Sequence, residues 1–468
     1  MKILYYNWVQ FDNERNTGGG VNIYQKNLID YLARNTDHEI FFLSSGWKYN
    51  PLLLKTYIKE TKNLYGNKCR SFEIINSAIM APAFAMYMNP QKFNEDTDTY
   101  EIFDKFLELY GRFDVIHFNN IEGISTNVLK LKEKYPDTKF IVSIHNYQPI
   151  CPLNQYFQNH KNVICHDFNC GKECLKCSQV LPSKKEYYGR CKNYYYGVFT
   201  GKKKFLRLPF KIFSKIFKYR SKNYIGSKAT MLPQQYVEYR KNNIKLLNKY
   251  ADKVLAVSNR VNSIVVSHGI APQKVITSYI GTKFAQNELR HSVATSAKPF
   301  TIAYLGYERI DKGYFFFVDA LSRLDKEVAK QINVVLAVSR IHKHTYEGKL
   351  NNFNNVEIHN GYTHKNLPEI LKTVNLGVVP VLWEDNLPQV AIEMVALGVP
   401  ILCSDFGGAS ELSTSDDFKF AGGDEKEFLD KLTKIVQNPA LLENYWKNHP
   451  PLMTMEKHVQ ELIGIYGG

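Results

Sequence analysis

Short, almost uninterrupted apolar runs alternate with stretches of helical periodicity along nearly the whole chain, and that alternation leaves few folds open. KILYYN (2–7), EIFFLSS (39–45), DVIHFNN (114–120) and KFIVSIHN (139–146) read as strands. Their continuous apolarity is that of strands covered on both faces, as in parallel sheets joined by helices. VNIYQKNLIDYLARN (21–35) reads as a helix with Ile23, Leu28 and Leu32 on its buried side. The second half repeats the design, with strands expected at 253–258, 300–306, 332–339, 376–383 and 399–405. Helices are expected around 313–324, 366–373, 388–397 and 425–437. A chain of 468 residues is too long for one core. The reading is therefore α/β, with two parallel-sheet domains facing a cleft. They span 1–250 and 251–450, and a terminal helix at 451–468 is expected to cross back to the first. Residues 147–235 break the alternation and read as an insertion in the first domain.

Hydrophobic residues make up 44% of the chain and charged residues 22%, which excludes disordered and fibrous classes. No apolar run approaches the length of a membrane-spanning helix. The N-terminus lacks the apolar core and cleavage site of a secretory signal, so a cytoplasmic location is expected. The net charge of +15 is not spread evenly. Residues 184–249 hold 18 Lys and Arg against only Glu186 and Glu238, and the rest of the chain is close to neutral. Within that segment, Lys204, Arg207, Lys211, Lys215, Lys218 and Lys222 fall within about 80° of helical arc. Leu206, Phe210, Phe213, Ile216 and Phe217 take the other side. This is the pattern of a helix lying on an anionic membrane surface, and equally of a surface helix packed on its own domain. No motif accompanies the charge to suggest nucleic acid.

Four constellations carry chemistry. In DNLPQVAIEMVALGVP (385–400) a strand ends in a polar corner, Pro388 opens a helix and Gly398 closes it. Free N–H groups at such a start suit hydroxyl or phosphate oxygens. Asp385 and Glu393, eight residues apart, share one side and reach opposite ends of an elongated ligand. LGYERIDKG (305–313) sets Arg309 and Lys312 beyond a strand end, where two cations neutralise a departing diphosphate. TGGGVNIYQKNL (17–28) is a glycine-rich turn before a helix, although not a Walker loop or a dinucleotide fingerprint. His117 and His145 each stand at a strand's C-terminal end, where open α/β sheets place ligands.

The joint pattern of GGGV, IHFNN, SIHNY, HGIAPQKV, the G-x5-K-G at 306–313 and DNLPQVAIEMVALGVPILCSDFGGASEL resembles the family 4 retaining glycosyltransferases. The resemblance extends over nearly the whole chain. It implies a GT-B architecture of two Rossmann-like domains and transfer of a sugar from a UDP- or GDP-type donor, with no cofactor for catalysis. It further implies that Glu393 holds the donor ribose, while Asp385, Asn386, Leu387 and Pro388 face the sugar. Lys312 corresponds to the diphosphate-binding lysine, Gly19 and Gly20 to the glycines near the phosphates, and His145 to the histidine near the transferred sugar. His145, Asp385 and Lys312 are thus the expected catalytic residues. Asp385 replaces a glutamate of the family, and Tyr307 an arginine, which leaves Arg309 as the stand-in. The implied acceptor is a lipid-linked or membrane-associated glycan in surface polysaccharide assembly. An epimerase or hydrolase of the same architecture, and a zinc-dependent nucleic-acid binding protein, are the rival readings.

Six of the eight cysteines fall between Cys151 and Cys191, including CLKC at 174–177. In a cytoplasmic protein this density favours metal over disulfides. A structural zinc held by Cys151, Cys165, Cys174 and Cys177 is the expectation, with free thiols as the alternative.

Overall fold

The computed structural model describes residues 1–13, 18–50, 52–53, 55–82, 95–177, 187, 189–194, 232–284, 299–413, 415–447 and 449–467. The basic helix expected at 204–222 lies outside them. Among the described residues, ten strands precede residue 278: β1 (Lys2–Asn7), β2 (Glu39–Ser45), β3 (Tyr57–Thr61), β4 (Cys69–Ile75), β5 (Val115–Phe118), β6 (Lys139–Ile144), β7 (Phe157–Gln158), β8 (Val163–Ile164), β9 (Lys253–Ala256) and β10 (Val275–Thr277). Eight of them form one sheet in the order β10-β9-β6-β5-β1-β2-β4-β3, while β7 and β8 make a small separate hairpin. Every pairing in the large sheet is parallel except β3 with β4. The apolar runs explain this: Ile3 to Tyr6 of β1, in mid-sheet, have no exposure at all.

The second sheet comprises β11 (Phe300–Tyr307), β12 (Ile332–Ser339), β13 (Asn355–His359), β14 (Leu376–Val379), β15 (Ile401–Ser404) and β16 (Lys419–Phe420). Its order, β13-β12-β11-β14-β15-β16, is the doubly wound 3-2-1-4-5-6 arrangement, parallel throughout. One expectation is corrected. The strand expected to open the second domain at 253–258 pairs with β6 and, with β10, completes the first sheet. The first unit therefore runs past residue 277, because a strand's sheet is set by the neighbour it pairs with and not by its place in the chain.

The C-terminal helix Met455–Gly467 packs against helix Gly19–Asn35 of the first unit. Buried hydrogen bonds anchor it: Tyr466 Oη lies 3.2 Å from Tyr5 Oη and 2.6 Å from His117 Nδ1. His117 Nε2 meets Ser143 Oγ at 2.7 Å. Beside this helix runs the connection between the sheets, where Thr282 N donates to the Met453 carbonyl at 3.0 Å. Among the described residues, no helix is long and apolar enough to cross a membrane.

Candidate active site

The second sheet reverses its winding between β11 and β14, and the loops that follow these two strands meet there. Lys312 comes from the first loop and Asp385 from the second. Lys312 Nζ stands 2.5 Å from Asp385 Oδ2 and 4.8 Å from the Trp383 ring centroid. Gly313 makes the approach feasible. Its φ is +73°, and a Cβ there would fall 1.7 Å from the Pro380 carbonyl oxygen at the end of β14. The corner at 384–386 is pinned from the other side. Gly407 N donates to Glu384 Oε2 at 2.9 Å and Gly408 N to the Asp385 carbonyl at 2.9 Å.

Glu393, 1% exposed, is held from two sides. His364 Nε2 is 2.8 Å from Oε1, and Tyr362 Oη donates to Oε2 at 3.5 Å. Burial and this carboxylate push the Tyr362 phenol well above its ordinary pKa. Phe284, on the connection between the sheets, packs edge-on against His364 at 5.3 Å. The connection therefore touches the group that fixes Glu393.

Pro388 caps helix Gln389–Ala396, which buries Ala391, Ile392 and Glu393 to Ala396. Opposite stands the start of helix Gly19–Asn35: a Cβ on Gly20 would meet Gln389 Cβ at 3.2 Å. The first turns of two helices, both positive ends of backbone dipoles, thus lie in contact across the cleft. Asn386 crosses it too, its Nδ2 reaching the Ile144 carbonyl at the end of β6 at 3.3 Å, while Ser258 Oγ donates to the Asn386 carbonyl at 2.7 Å. Leu387 and Pro388 are buried beside them.

His145 follows β6 on the opposite wall. Its ring lies 4.9 Å from that of Tyr24, and its Nε2 is buried with no hydrogen-bond partner among the described residues. Burial drives its pKa down to about 3, so the imidazole is neutral at physiological pH. The other strand-end histidine, His117, has both nitrogens committed and belongs to the core.

Arg309 does not project freely. Its guanidinium forks onto Asp311, with Nε–Oδ1 2.9 Å and Nη2–Oδ2 2.7 Å. Other contacts have no short-range sequence signal. Arg260 forks onto Glu384, and Glu411 accepts from the backbone N–H groups of Asn259 (3.0 Å) and Arg260 (2.7 Å). Both carboxylates come from the second unit and both partners from the first, so these contacts hold the cleft together.

The zinc expectation draws no support from the placement of the cysteines. Among the described residues, no three Cys, His, Asp or Glu side chains are placed to share a metal ion. Three of the four cysteines have polar neighbours instead. Arg240 Nη2 reaches Cys174 Sγ at 2.7 Å, Gln158 Nε2 lies 3.6 Å from Cys165 Sγ, and His160 Nδ1 lies 3.2 Å from Cys177 Sγ. Burial raises the thiol of Cys151, that of Cys165 to about 11 and that of Cys174 to about 12.

Comparison with known proteins agrees with the geometry. Residues 285–450 match the family model of glycosyl transferases group 1. No curated protein matches the sequence. Among solved structures, a sucrose-phosphate synthase from Thermosynechococcus elongatus superposes with a TM-score of 0.60 at 15% identity, over 100% of this chain and 98% of that one. The lipopolysaccharide outer core galactosyltransferase WaaB gives 0.55 at 12% identity over 99% of both chains. HepE from Anabaena, in complex with UDP, gives 0.53 at 13% identity over 100% of both. At such identities the likeness shows the fold, which is GT-B. Residues 285–450 thus carry the pattern of glycosyl transferases group 1, within a chain whose fold is GT-B.

Proposed function

We propose that the chain is a retaining glycosyltransferase of the family 4 kind, moving a sugar from a nucleotide diphosphate donor to a glycan acceptor on a membrane lipid. The observation that carries the reading is the convergence of two helix N-termini, at Gly19–Gly20 and Gln389, beside Lys312. Like dipole ends brought together repel unless an anion sits beside both, and a diphosphate is such an anion. Glu393 then takes the ribose hydroxyls. Asp385, Asn386 and the neutral His145 surround the sugar. Arg309 belongs to the outer edge of the site, since Asp311 already occupies its fork.

In the transfer itself, the bond between the anomeric carbon and the diphosphate oxygen breaks, and its electron pair leaves with the phosphate. Lys312 and the helix ends stabilise that charge. The acceptor oxygen bonds to the anomeric carbon on the same face. Its proton passes to the departing phosphate oxygen, so configuration is retained. Asp385 is not required as a nucleophile. It accepts a hydrogen bond from a sugar hydroxyl once Lys312 has turned to the diphosphate.

The membrane side of the proposal draws support from the sequence of 204–222, whose cationic stripe opposes a Phe and Ile face. A thermal-shift panel of UDP, GDP, UDP-glucose, UDP-galactose and GDP-mannose tests the donor side, because a ligand of the native state raises its melting temperature. Uridine compounds come first because HepE was solved with UDP. No shift with any of them, or wild-type turnover in both Lys312→Ala and Glu393→Ala, ends the assignment. Release of free sugar regardless of acceptor favours a hydrolase instead.

A further inference from the structure

The C-terminal helix does more than tie the two units together. His458, on its first turns, places Nε2 2.7 Å from the hydroxyl of Tyr24. The Tyr24 ring in turn lies against that of His145, with centroids 4.9 Å apart and planes at 38°. Tyr24 and His458 are buried, and His145 Nε2 is shut away from solvent with no protein partner among the described residues. No protein hydrogen bond at Nε2 therefore sets the His145 ring plane, and the Tyr24 ring is a wall against which it rests. Tyr24 is kept in place by a residue some 430 positions away in sequence. The seat of His458 is equally tight. A Cβ on Gly281 would come within 2.9 Å of His458 Cβ and 2.8 Å of Met455 Cα, so the connection between the units lies directly on this part of the helix.

We propose that His458 is a positioning residue for transfer: through Tyr24 it sets the orientation of His145, so that a competent site requires the C-terminal helix to be docked. The inference rests on the reading of His145 as a wall of the donor-sugar site. Tyr24 also sits one turn into the helix whose N-terminus faces Gln389. The same contact thus steadies the phosphate end of the cleft.

The test uses the full chain with selectively labelled histidine, the His145 ring signal being assigned from its loss in His145→Gln. His458→Phe keeps volume and aromaticity but loses the bond to Tyr24. Tyr24→Phe keeps the ring beside His145 and loses the hydroxyl. Both should shift or broaden the His145 ring signal, and both should lower UDP release from UDP-glucose about tenfold in kcat with KM changed less than twofold, as misorientation without lost binding does. His458→Gln, which can still bond to Tyr24 Oη, should restore the signal and most of the rate. An unmoved His145 signal in His458→Phe and Tyr24→Phe overturns the inference. So does a signal that moves no less in His458→Gln than in His458→Phe, since loss of packing alone would then explain it. If UDP-glucose leaves the wild-type His145 signal untouched, the reading of the donor site fails, while the His458–Tyr24–His145 contact is still measured independently.

Discussion

The two walls of the cleft are built on opposite electrostatic plans. On the C-terminal wall nearly every charged group already has a partner: Lys312 with Asp385, Arg309 with Asp311, Glu393 with His364, and Glu384 with Arg260. On the N-terminal wall, Arg260 apart, the groups nearest the corner at 384–386 are neutral, and His145 Nε2 and Tyr147 Oη have no hydrogen-bond partner among the described residues. A ligand therefore meets the first wall by exchanging partners and the second through polar atoms that no protein group engages. Exchange suits a charged group that must arrive and later leave, because the protein's own carboxylates compete for the same cations. Neutral acceptors and donors suit sugar hydroxyls, which cost little to desolvate once each finds a partner.

The comparison breaks most visibly at Lys312. If its ammonium is what the diphosphate gains on the C-terminal wall, Lys312→Ala should lower kcat/KM for the donor about 10³-fold, or about 4 kcal/mol, the scale of removing one preorganised charge-stabilising group. Lys312→Arg should recover only part of this, since a planar fork does not replace a point charge seated against Trp383. Steady-state kinetics at saturating acceptor reads both. A loss of less than tenfold in Lys312→Ala would mean that the helix ends hold the diphosphate unaided.

Gly313 tests the scaffold of the same wall without touching a charge. A side chain there needs a positive φ and collides with the Pro380 carbonyl. Gly313→Ala should cost about 3 kcal/mol of stability. Urea denaturation followed by circular dichroism measures it. A loss under about 1 kcal/mol would show that the loop bearing Lys312 can shift.

On the neutral wall the expected effect is a pH dependence. Burial depresses the His458 pKa to about 4 in the folded state, against 6.5 when exposed. Between those values the unfolded chain binds more protons, so stability falls as pH drops through the window and is fully present above it. From pH 7 to pH 5 this one group should cost about 2 kcal/mol. His458→Gln removes it, and the difference in urea midpoint between the two pH values should shrink accordingly. An unchanged difference would mean that His458 is hydrated in solution.

How much of this was legible in the sequence differs between the walls for the same reason. The C-terminal wall is assembled from two contiguous segments, 305–313 and 384–393, whose strand–loop–helix grammar brings Lys312 beside Asp385 once the sheet order is fixed. Partners such as His364 for Glu393 or Arg260 for Glu384 come from distant loops and leave no local mark. The N-terminal wall depends on residues that look like ordinary core. Tyr24 lies in a helix whose periodicity points to Ile23, Leu28 and Leu32 as the buried side. In the structure Ile23 is only half-buried, whereas Asn22, Tyr24 and Gln25 are buried. Polar side chains turn inward there because the C-terminal helix and the cleft cover them, which no helical period encodes. The cysteines show the converse: their density suggested a metal, and Cys174 does lie near enough to Cys151, Cys165 and Cys177 to feel them, but among the described residues no three ligands meet at one point.

The smallest effect is also the most discriminating between the two plans. If Asp385 competes with the donor for Lys312, removing its charge should help binding while harming transfer. The pair is partly buried, with Lys312 26% and Asp385 10% exposed at the side chain, so its worth is about 1 kcal/mol. Asp385→Asn should accordingly bind UDP about fivefold more tightly by calorimetry, because UDP no longer displaces a carboxylate from Lys312. The same variant should turn over more slowly, since an amide is a weaker acceptor for a sugar hydroxyl than a carboxylate. Tighter binding and slower turnover together fit only an exchange wall. Weaker UDP binding in Asp385→Asn would instead mean that the carboxylate holds Lys312 in place for the phosphate, and that the C-terminal wall is preformed in the same sense as its neutral counterpart.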